Sequence, residues 1–315
     1  MSVSMCEAAS AAPPGQGVVS RLRGTSAERP AVDAGLAGGL RDWLEDGLSE
    51  AVAALPDHGN PVRVTKEAVN QVLVCEAHFV ASRDLSRPMS IELARGLMVD
   101  ALFRQWITTG DIADPWEDAV AALAVSTDGT EMTAFLGSLG ADVRRTLRGE
   151  LATHLEHVAS SWPHPSPSWL ARTQERLIVP LAGGQVVLSG VIDLALGAPS
   201  SGRASVCIVE VKSGRRRIEH RGDLHLYALL ETLRSGAPPF RIATFYTATG
   251  ELDVEPVGRD ALTSALHRVL AAGQRLCRLA SGAEPQRTPN PLCAHCSGLT
   301  ACPPGQTRVN EAAGA

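Results

Sequence analysis

The feature that most constrains this chain is a pair of apolar runs with charges set inside them. In VIDLALGAPSSGRASVCIVEVKSG, residues 191–214, Asp193 interrupts one aliphatic run and Glu210 and Lys212 the next. Asp, Glu and Lys are rarely buried unless paired or bound to a metal. A fold that makes strands of both runs must therefore supply partners for all three. Side chains two apart on a strand share a face, so Glu210 and Lys212 project together while Val211 points the other way. Antiparallel pairing across the loop between the runs brings Asp193 beside Glu210.

Two carboxylates at one end of a sheet suit a hard divalent cation such as Mg²⁺ or Mn²⁺, with the Val211 carbonyl as a further oxygen ligand. The neighbouring Lys212 ammonium is placed to orient a water or stabilise a pentavalent phosphate. That chemistry hydrolyses phosphodiesters. The plainer alternative sets both carboxylates at strand ends and leaves Lys212 a solvated edge residue.

Periodicity supplies the surroundings. Residues 1–32, rich in Ala, Ser, Gly and Pro, are expected to form a disordered leader, and 306–315 a disordered tail. Residues 33–160 read as a helical region: GLRDWLEDGLSEAVAAL, VTKEAVNQVLVCEAHFVA and SIELARGLMVDALFRQWI repeat apolar residues at three and four, with Thr65 and Ser90 as N-caps. After SWPHPSPSW the period becomes two. RLIVPL, the turn LAGG and QVVLSGVIDLAL predict a hairpin, and ASVCIVEVKSG a third strand. HRGDLHLYALLETLRSG predicts a helix ending at Gly236, RIATFYTATGELDVEPV a second hairpin, and RDALTSALHRVLAAGQRLCRLASG a last helix. The expected fold is α/β: a core over 161–283 behind the helical region, followed by a Cys-rich loop segment over 284–305.

A net charge of −5 and a pI near 6.0 give no global nucleic-acid signature, so any such role must come from a local patch. The run KSGRRRIEHR qualifies, with Lys212, Arg215, Arg216, Arg217 and Arg221 against Glu219. It suits sequence-independent phosphate contact, or else is a solvated loop. Aromatic residues total only 4%, which argues against a long base-stacking platform, and Trp106, Trp162 and Trp169 are assigned to packing. No apolar run reaches the roughly 18 residues of a membrane span, and the first residues lack a secretory pattern. A cytoplasmic location is expected, in which the seven cysteines serve as metal ligands or reduced core residues.

In combination, GVID at 190–193, IVEVK at 208–212 and Tyr227 in LHLYALL resemble the PD-(D/E)XK nuclease superfamily, specifically its RecB-like exonuclease branch. The resemblance, covering about 64–305, implies a restriction-endonuclease-like core, metal binding by Asp193 and Glu210, catalytic assistance by Lys212, and a site position for Tyr227. Glu175 in TQERLIV matches the acidic residue that often precedes the first hairpin. Two positions depart from the pattern. Asp223 stands where the family has Gln, and Asp100, in GLMVD, stands where it has a metal-binding His. An oxygen ligand at Asp100 favours Mg²⁺ over softer metals. Both departures also fit a weakened enzyme, or plain helix carboxylates.

Cys293, Cys296 and Cys302 form C-x₂-C-x₅-C in a Pro-rich loop, three soft ligands in want of a fourth. Relatives of the AddB and CRISPR-associated exonuclease type place one Cys in an N-terminal helix and three after the nuclease core. The resemblance thus implies a [4Fe-4S] cluster on Cys75, Cys293, Cys296 and Cys302; a Zn²⁺ site or unliganded thiols are the alternatives. Cys207 and Cys277 read as small core hydrophobes and Cys6 as part of the leader. The expectation is a Mg²⁺- or Mn²⁺-dependent, iron-sulfur DNA nuclease acting from strand ends on single-stranded or frayed DNA, in repair, recombination or CRISPR adaptation. With no helicase P-loop in the sequence, unwinding would fall to a helicase or integrase partner. A silent DNA-binding or scaffold module and a Zn-stapled structural protein are the readings from other classes.

Overall fold

The computed structural model describes residues 17–314, except 57, 58, 84, 86, 87, 127, 128, 201 and 218; Cys6 lies outside the described residues. The chain runs α1 (Val18–Arg23), α2 (Leu36–Ala53), β1 (Val62–Val64), α3 (Lys66–Val74), α4 (Glu76–Ser82), α5 (Ile91–Thr109), α6 (Pro115–Ala124), α7 (Gly129–Ser138) and α8 (Ala141–Ser161). It continues β2 (Arg172–Leu181), β3 (Val186–Leu196), β4 (Cys207–Lys212), α9 (Glu219–Ser235), β5 (Arg241–Tyr246), β6 (Glu251–Pro256), α10 (Arg259–Ala280) and α11 (Pro303–Ala313). Thr65 and Ser90 cap their helices as expected, each hydroxyl accepting a backbone N–H at 3.2 Å, from Ala68 and Leu93 respectively.

Strand β3 organises the sheet. Along one edge it pairs antiparallel with β2 from Val186 to Ala195, with Asp193 skipped, through the hairpin turn predicted at LAGG. Its other edge is shared: β1 runs parallel to Val186–Leu188, and β4 antiparallel to Leu194–Leu196. Between those two partners, residues 189–193 of that edge have no neighbouring strand, and Asp193 closes the notch. β5 lies parallel to β4 and β6 antiparallel to β5. The β4–α9–β5 unit is a crossover between parallel neighbours, with α9 laid across the sheet.

Helices cover both faces, which is the mixed α/β core that the resemblance implied. On one face α2, α3, α9 and α10 bury Leu44, Val72, Leu229 and Leu266 against Ile192, Ile208 and Ile242. On the other, α1, α5 and α8 bury Leu22, Phe103 and Val158, with Trp162 just past α8, against Leu194, Val209 and Phe245. A third cluster joins α5 to α8, with Met98, Trp116, Leu123 and Leu151 inside. The period-two alternation holds along β4 and breaks in β3, where Ile192 and Leu194, two apart, pack on opposite faces. Opposite the break, Gln174 of β2 carries a φ of 52°, the left-handed region that non-Gly residues seldom adopt. The kink sits at Asp193.

Three expectations need correcting. Part of the expected leader is folded: Val18, Val19 and Leu22 are buried against the sheet, and the 30–32 segment bridges to the β3–β4 loop at Ala31 and Arg203. Apolar spacing too short to register as a period was enough to dock it. Residues in the expected disordered tail form α11, started by Pro303 and Pro304, whose missing N–H groups are unneeded in a first turn. The single helix predicted over VTKEAVNQVLVCEAHFVA is two, parted at Cys75, which is extended (φ −163°, ψ 116°). There the chain following α10 docks: Gln286 donates its N–H to the Glu76 carboxylate at 2.8 Å and accepts the Ala77 N–H at 3.1 Å. No helix among the described residues is long and apolar enough to cross a membrane.

Candidate active site

The notch on β3 collects the charges. Asp193 accepts the Val211 N–H at 2.8 Å through Oδ2. In an extended strand the N–H and C=O of one residue leave by the same edge, so the Val211 carbonyl opens toward Asp193 as well. Glu210, whose side chain is 3% exposed, lies on the opposite face of β4 from Val211. Its Oε1 accepts from Lys212 Nζ at 2.5 Å and from Lys66 Nζ at 2.9 Å. Its Oε2 is buried with no hydrogen-bond partner. The Tyr227 ring lies under the Lys66 ammonium, 5.3 Å from Nζ to centroid. A Cβ on Gly190 would stand 2.6 Å from that ring, so glycine lets β3 meet α9 here.

Asp100, on α5, reaches the same centre. Its carboxylate is held by Arg104 Nε at 3.1 Å and by Gln174 Nε2 at 3.3 Å. Burial raises the Asp100 carboxyl above the usual carboxylate range and Arg104 opposes the rise. Burial, then the Glu210 and Asp100 charges, push Asp193 up to about 7. Burial would raise Glu210 too, but the Lys212 and Lys66 ammoniums override it and hold the carboxyl low. Two neighbouring carboxyls thus differ, one raised and one held low, because both lysines bond to Glu210 and neither bonds to Asp193.

The donor set fits a hard cation: an unpaired buried carboxylate oxygen on Glu210, a second carboxylate at Asp193 and a carbonyl edge at Val211. Among the described residues no three Asp, Glu, His or Cys side chains converge to metal-binding geometry. The reason is visible in the pairings, since the lysines draw Glu210 one way while Arg104 and Gln174 draw Asp100 another.

Not every expected residue is at this centre. Glu175 is engaged by Arg172 at 2.9 Å and Arg234 at 3.2 Å, in a network with Glu231. Asp223 is buried and accepts from Asn70 Nδ2 at 2.8 Å, and Asn70 accepts in turn from Arg268, tying α9 to α3 and α10. Of the basic run, Arg216 is paired with Asp253 at 2.8 Å, and Arg221 is bidentate on Glu255 at 2.7 and 2.8 Å. Arg216, Arg217 and Arg221 line one open groove with Tyr246. Two residues at the centre went unread in the sequence, Lys66 and Gln174. Lys66 left one trace: a cation at the first position of a helix, where the macrodipole favours acids. Gln174 left none.

Away from this centre, Cys75, Cys293, Cys296 and Cys302 line a single cavity of about 200 Å³, and none of the four is in a disulfide with a described residue. Cys75 Sγ accepts the Thr288 N–H and Cys293 Sγ the Asn290 N–H, each at 3.4 Å. A Cβ on Gly305 would approach Cys302 Sγ to 3.2 Å. Cys207 and Cys277 are buried in the core as expected.

A search of the curated proteins finds no match. Among solved structures, one from Eubacterium rectale, to which exonuclease activity is ascribed, aligns at 14% identity over 73% of this chain and 86% of that one, with a TM-score of 0.44. The structure of SSO0001 aligns at 14% identity over 82% of this chain and 93% of that one, with a TM-score of 0.35. Likenesses so distant carry no argument about activity. The family comparison is stronger, because its match over residues 63–303 takes in the sheet, the charged notch and the cysteine segment, and by it the chain belongs to the PD-(D/E)XK nuclease superfamily.

Proposed function

We propose that this nuclease-superfamily chain is a divalent-metal-dependent deoxyribonuclease that hydrolyses phosphodiester bonds at the β3 notch, acting as an exonuclease on single strands or frayed ends. The observation that carries the reading is Asp193, Glu210 and Lys212 meeting where β4 leaves β3, with the Oε2 of Glu210 unpaired. Members of the superfamily generally use Mg²⁺ or Mn²⁺. Asp193, Glu210 and the Val211 carbonyl would hold such an ion, with Asp100 close by; bound there, it supplies Lewis-acid activation of the phosphate and of a water. Lys212 keeps Glu210 ionised and presents an ammonium to charge developing on the phosphate oxygens. Tyr227 fixes the floor beneath Lys66. Asp193, drawn toward protonation by burial and then by the neighbouring carboxylates, gains most from a cation placed beside it. Arg215 and Arg217, with Arg216 and Arg221 in support, are assigned to the phosphate backbone of the bound strand.

To the four cysteines that line one cavity we assign a [4Fe-4S] cluster joining the C-terminal segment to the start of α4, with Zn²⁺ as the alternative occupant. A cytoplasmic role in repair, recombination or CRISPR adaptation, beside a helicase or integrase partner, completes the proposal. The test is cleavage of end-labelled single- and double-stranded DNA by anaerobically purified protein with Mg²⁺ or Mn²⁺, beside Asp193→Ala and Lys212→Ala. Loss of cleavage in both variants supports the site, and cleavage surviving in either refutes it. No cleavage by the parent protein, with DNA still bound, favours a silent binding module, which the two-lysine grip on Glu210 would fit. Iron with acid-labile sulfide that falls in Cys75→Ala supports the cluster; one tight zinc and no iron refutes it.

A further inference from the structure

The site carries one cation more than its proposed chemistry uses. Lys66 stands at the first position of α3, its side chain 18% exposed, and places Nζ 2.9 Å from the Glu210 oxygen that Lys212 already holds. Counted over the contacting groups, the centre has three carboxylates, Asp100, Asp193 and Glu210, against three cations, Arg104, Lys66 and Lys212. It is formally neutral before any divalent ion arrives. A bound Mg²⁺ or Mn²⁺ therefore adds two uncompensated positive charges in a largely desolvated place, where such charge is costly.

The two lysines are not equivalent. Lys212 is two residues from Glu210 on the same strand face, so its backbone stays beside that carboxylate. Lys66 comes from a helix start on a flexible stem, and beside it lies a cavity of about 310 Å³ lined by Lys66, Asp193, Tyr227, Gln174 and Arg176. That cavity is the notch on β3, and it is large enough for a phosphodiester group.

We propose that Lys66 is the resident counter-ion of Glu210, that it competes with the divalent cation for this carboxylate, and that on displacement it turns into the adjoining notch to bind a phosphate of the nucleic acid. Metal and strand then bind as a coupled pair: the metal frees the ammonium and the phosphate neutralises it. The inference rests on the reading of Asp193 and Glu210 as metal ligands and goes beyond it, because it assigns the coupling to one residue.

The test is Mn²⁺ binding followed by the electron paramagnetic resonance signal of the free aquo ion, for the parent protein, K66Q, K66R and E210A. Each is measured with and without a short phosphorothioate single strand. Removing one positive charge a few ångströms from the ion is expected to tighten Mn²⁺ binding by at least about tenfold in K66Q without DNA. K66R should match the parent protein, and the strand should tighten Mn²⁺ binding to the parent more than to K66Q. Equal or weaker Mn²⁺ binding by K66Q overturns the role of Lys66 while leaving the metal site standing. Mn²⁺ binding that survives in E210A overturns both, because the ion is then elsewhere.

Discussion

Gly190→Ala puts the whole arrangement to the test with one methyl group. A Cβ at this position would lie 2.6 Å from Tyr227 Cε1, 3.2 Å from Cδ1 and 3.3 Å from a Leu230 methyl. Carbon atoms in contact settle at about 3.5–4.0 Å, so the nearest pair must separate by roughly 1 Å. The ring cannot yield alone. Tyr227 is 3% exposed, on a helix whose residues 226–230 are all buried against the sheet and α10. The methyl must therefore push α9 away from β3. Overpacking of this kind costs about 1–3 kcal/mol, which in a domain of this size lowers Tm by roughly 2–12 °C. The same shift moves Tyr227 from beneath Lys66 and loosens the grip on Glu210, so cleavage should fall by more than the stability loss explains. Gly149→Ala is the control: it lies mid-helix in α8 with nothing within 4 Å of its Cβ, and should stabilise by about 0.5–1 kcal/mol. Thermal unfolding and DNA cleavage on both variants check the argument. A Gly190→Ala protein with unchanged Tm and unchanged cleavage would refute it.

Other perturbations separate the roles further. In metal-free protein, Asp193 has a folded-state pKa above its unfolded value, so the folded chain holds the proton longer and stability falls as pH rises from about 4 to 7, then levels. Asp193→Asn should abolish that slope and be the more stable of the two above neutral pH; parallel urea-unfolding curves across the range would exclude the raised carboxyl. Glu210→Gln leaves two ammoniums facing a neutral amide, and since Lys66 and Lys212 are only partly exposed the loss should fall at the lower end of ~3–5 kcal/mol. Denaturant melts showing no loss would mean that the lysines are not paired there. Arg215→Ala with Arg217→Ala should reduce the slope of log K against log salt for a single strand by about 1.4. Arg221→Ala should change it less, because Glu255 already neutralises that guanidinium; equal effects in fluorescence anisotropy would overturn the distinction.

How much of this was legible varies with the range of the interaction. Asp193, Glu210 and Lys212 stood out because a period-two apolar run makes any charge inside it conspicuous, and the antiparallel pairing of two consecutive strands, β3 and β4, sets their register. The capping by Thr65 and Ser90 and the end of α9 at Gly236 were local signals too. Glu175 lies off the centre because a side chain one residue along a strand faces the other way, and at the kink opposite Asp193 it is Gln174 that turns toward Asp100. The basic run was legible as charge, but its neutralisation by Asp253 and Glu255 depends on β6 lying beside β5.

Composition and pattern determined the α/β class, the two strands that bear the acid pair, and the grouping of three cysteines in one short segment. They do so because alternation, turns and caps are written within a few neighbouring residues. Only the tertiary structure decided which cations serve Glu210, since Lys66 is 144 residues away in sequence. The same is true of the split at Cys75, which exists because the segment after α10 claims the backbone there. The identity of an electrostatic partner depends on which elements the core brings together, and periodicity along the chain carries no record of that.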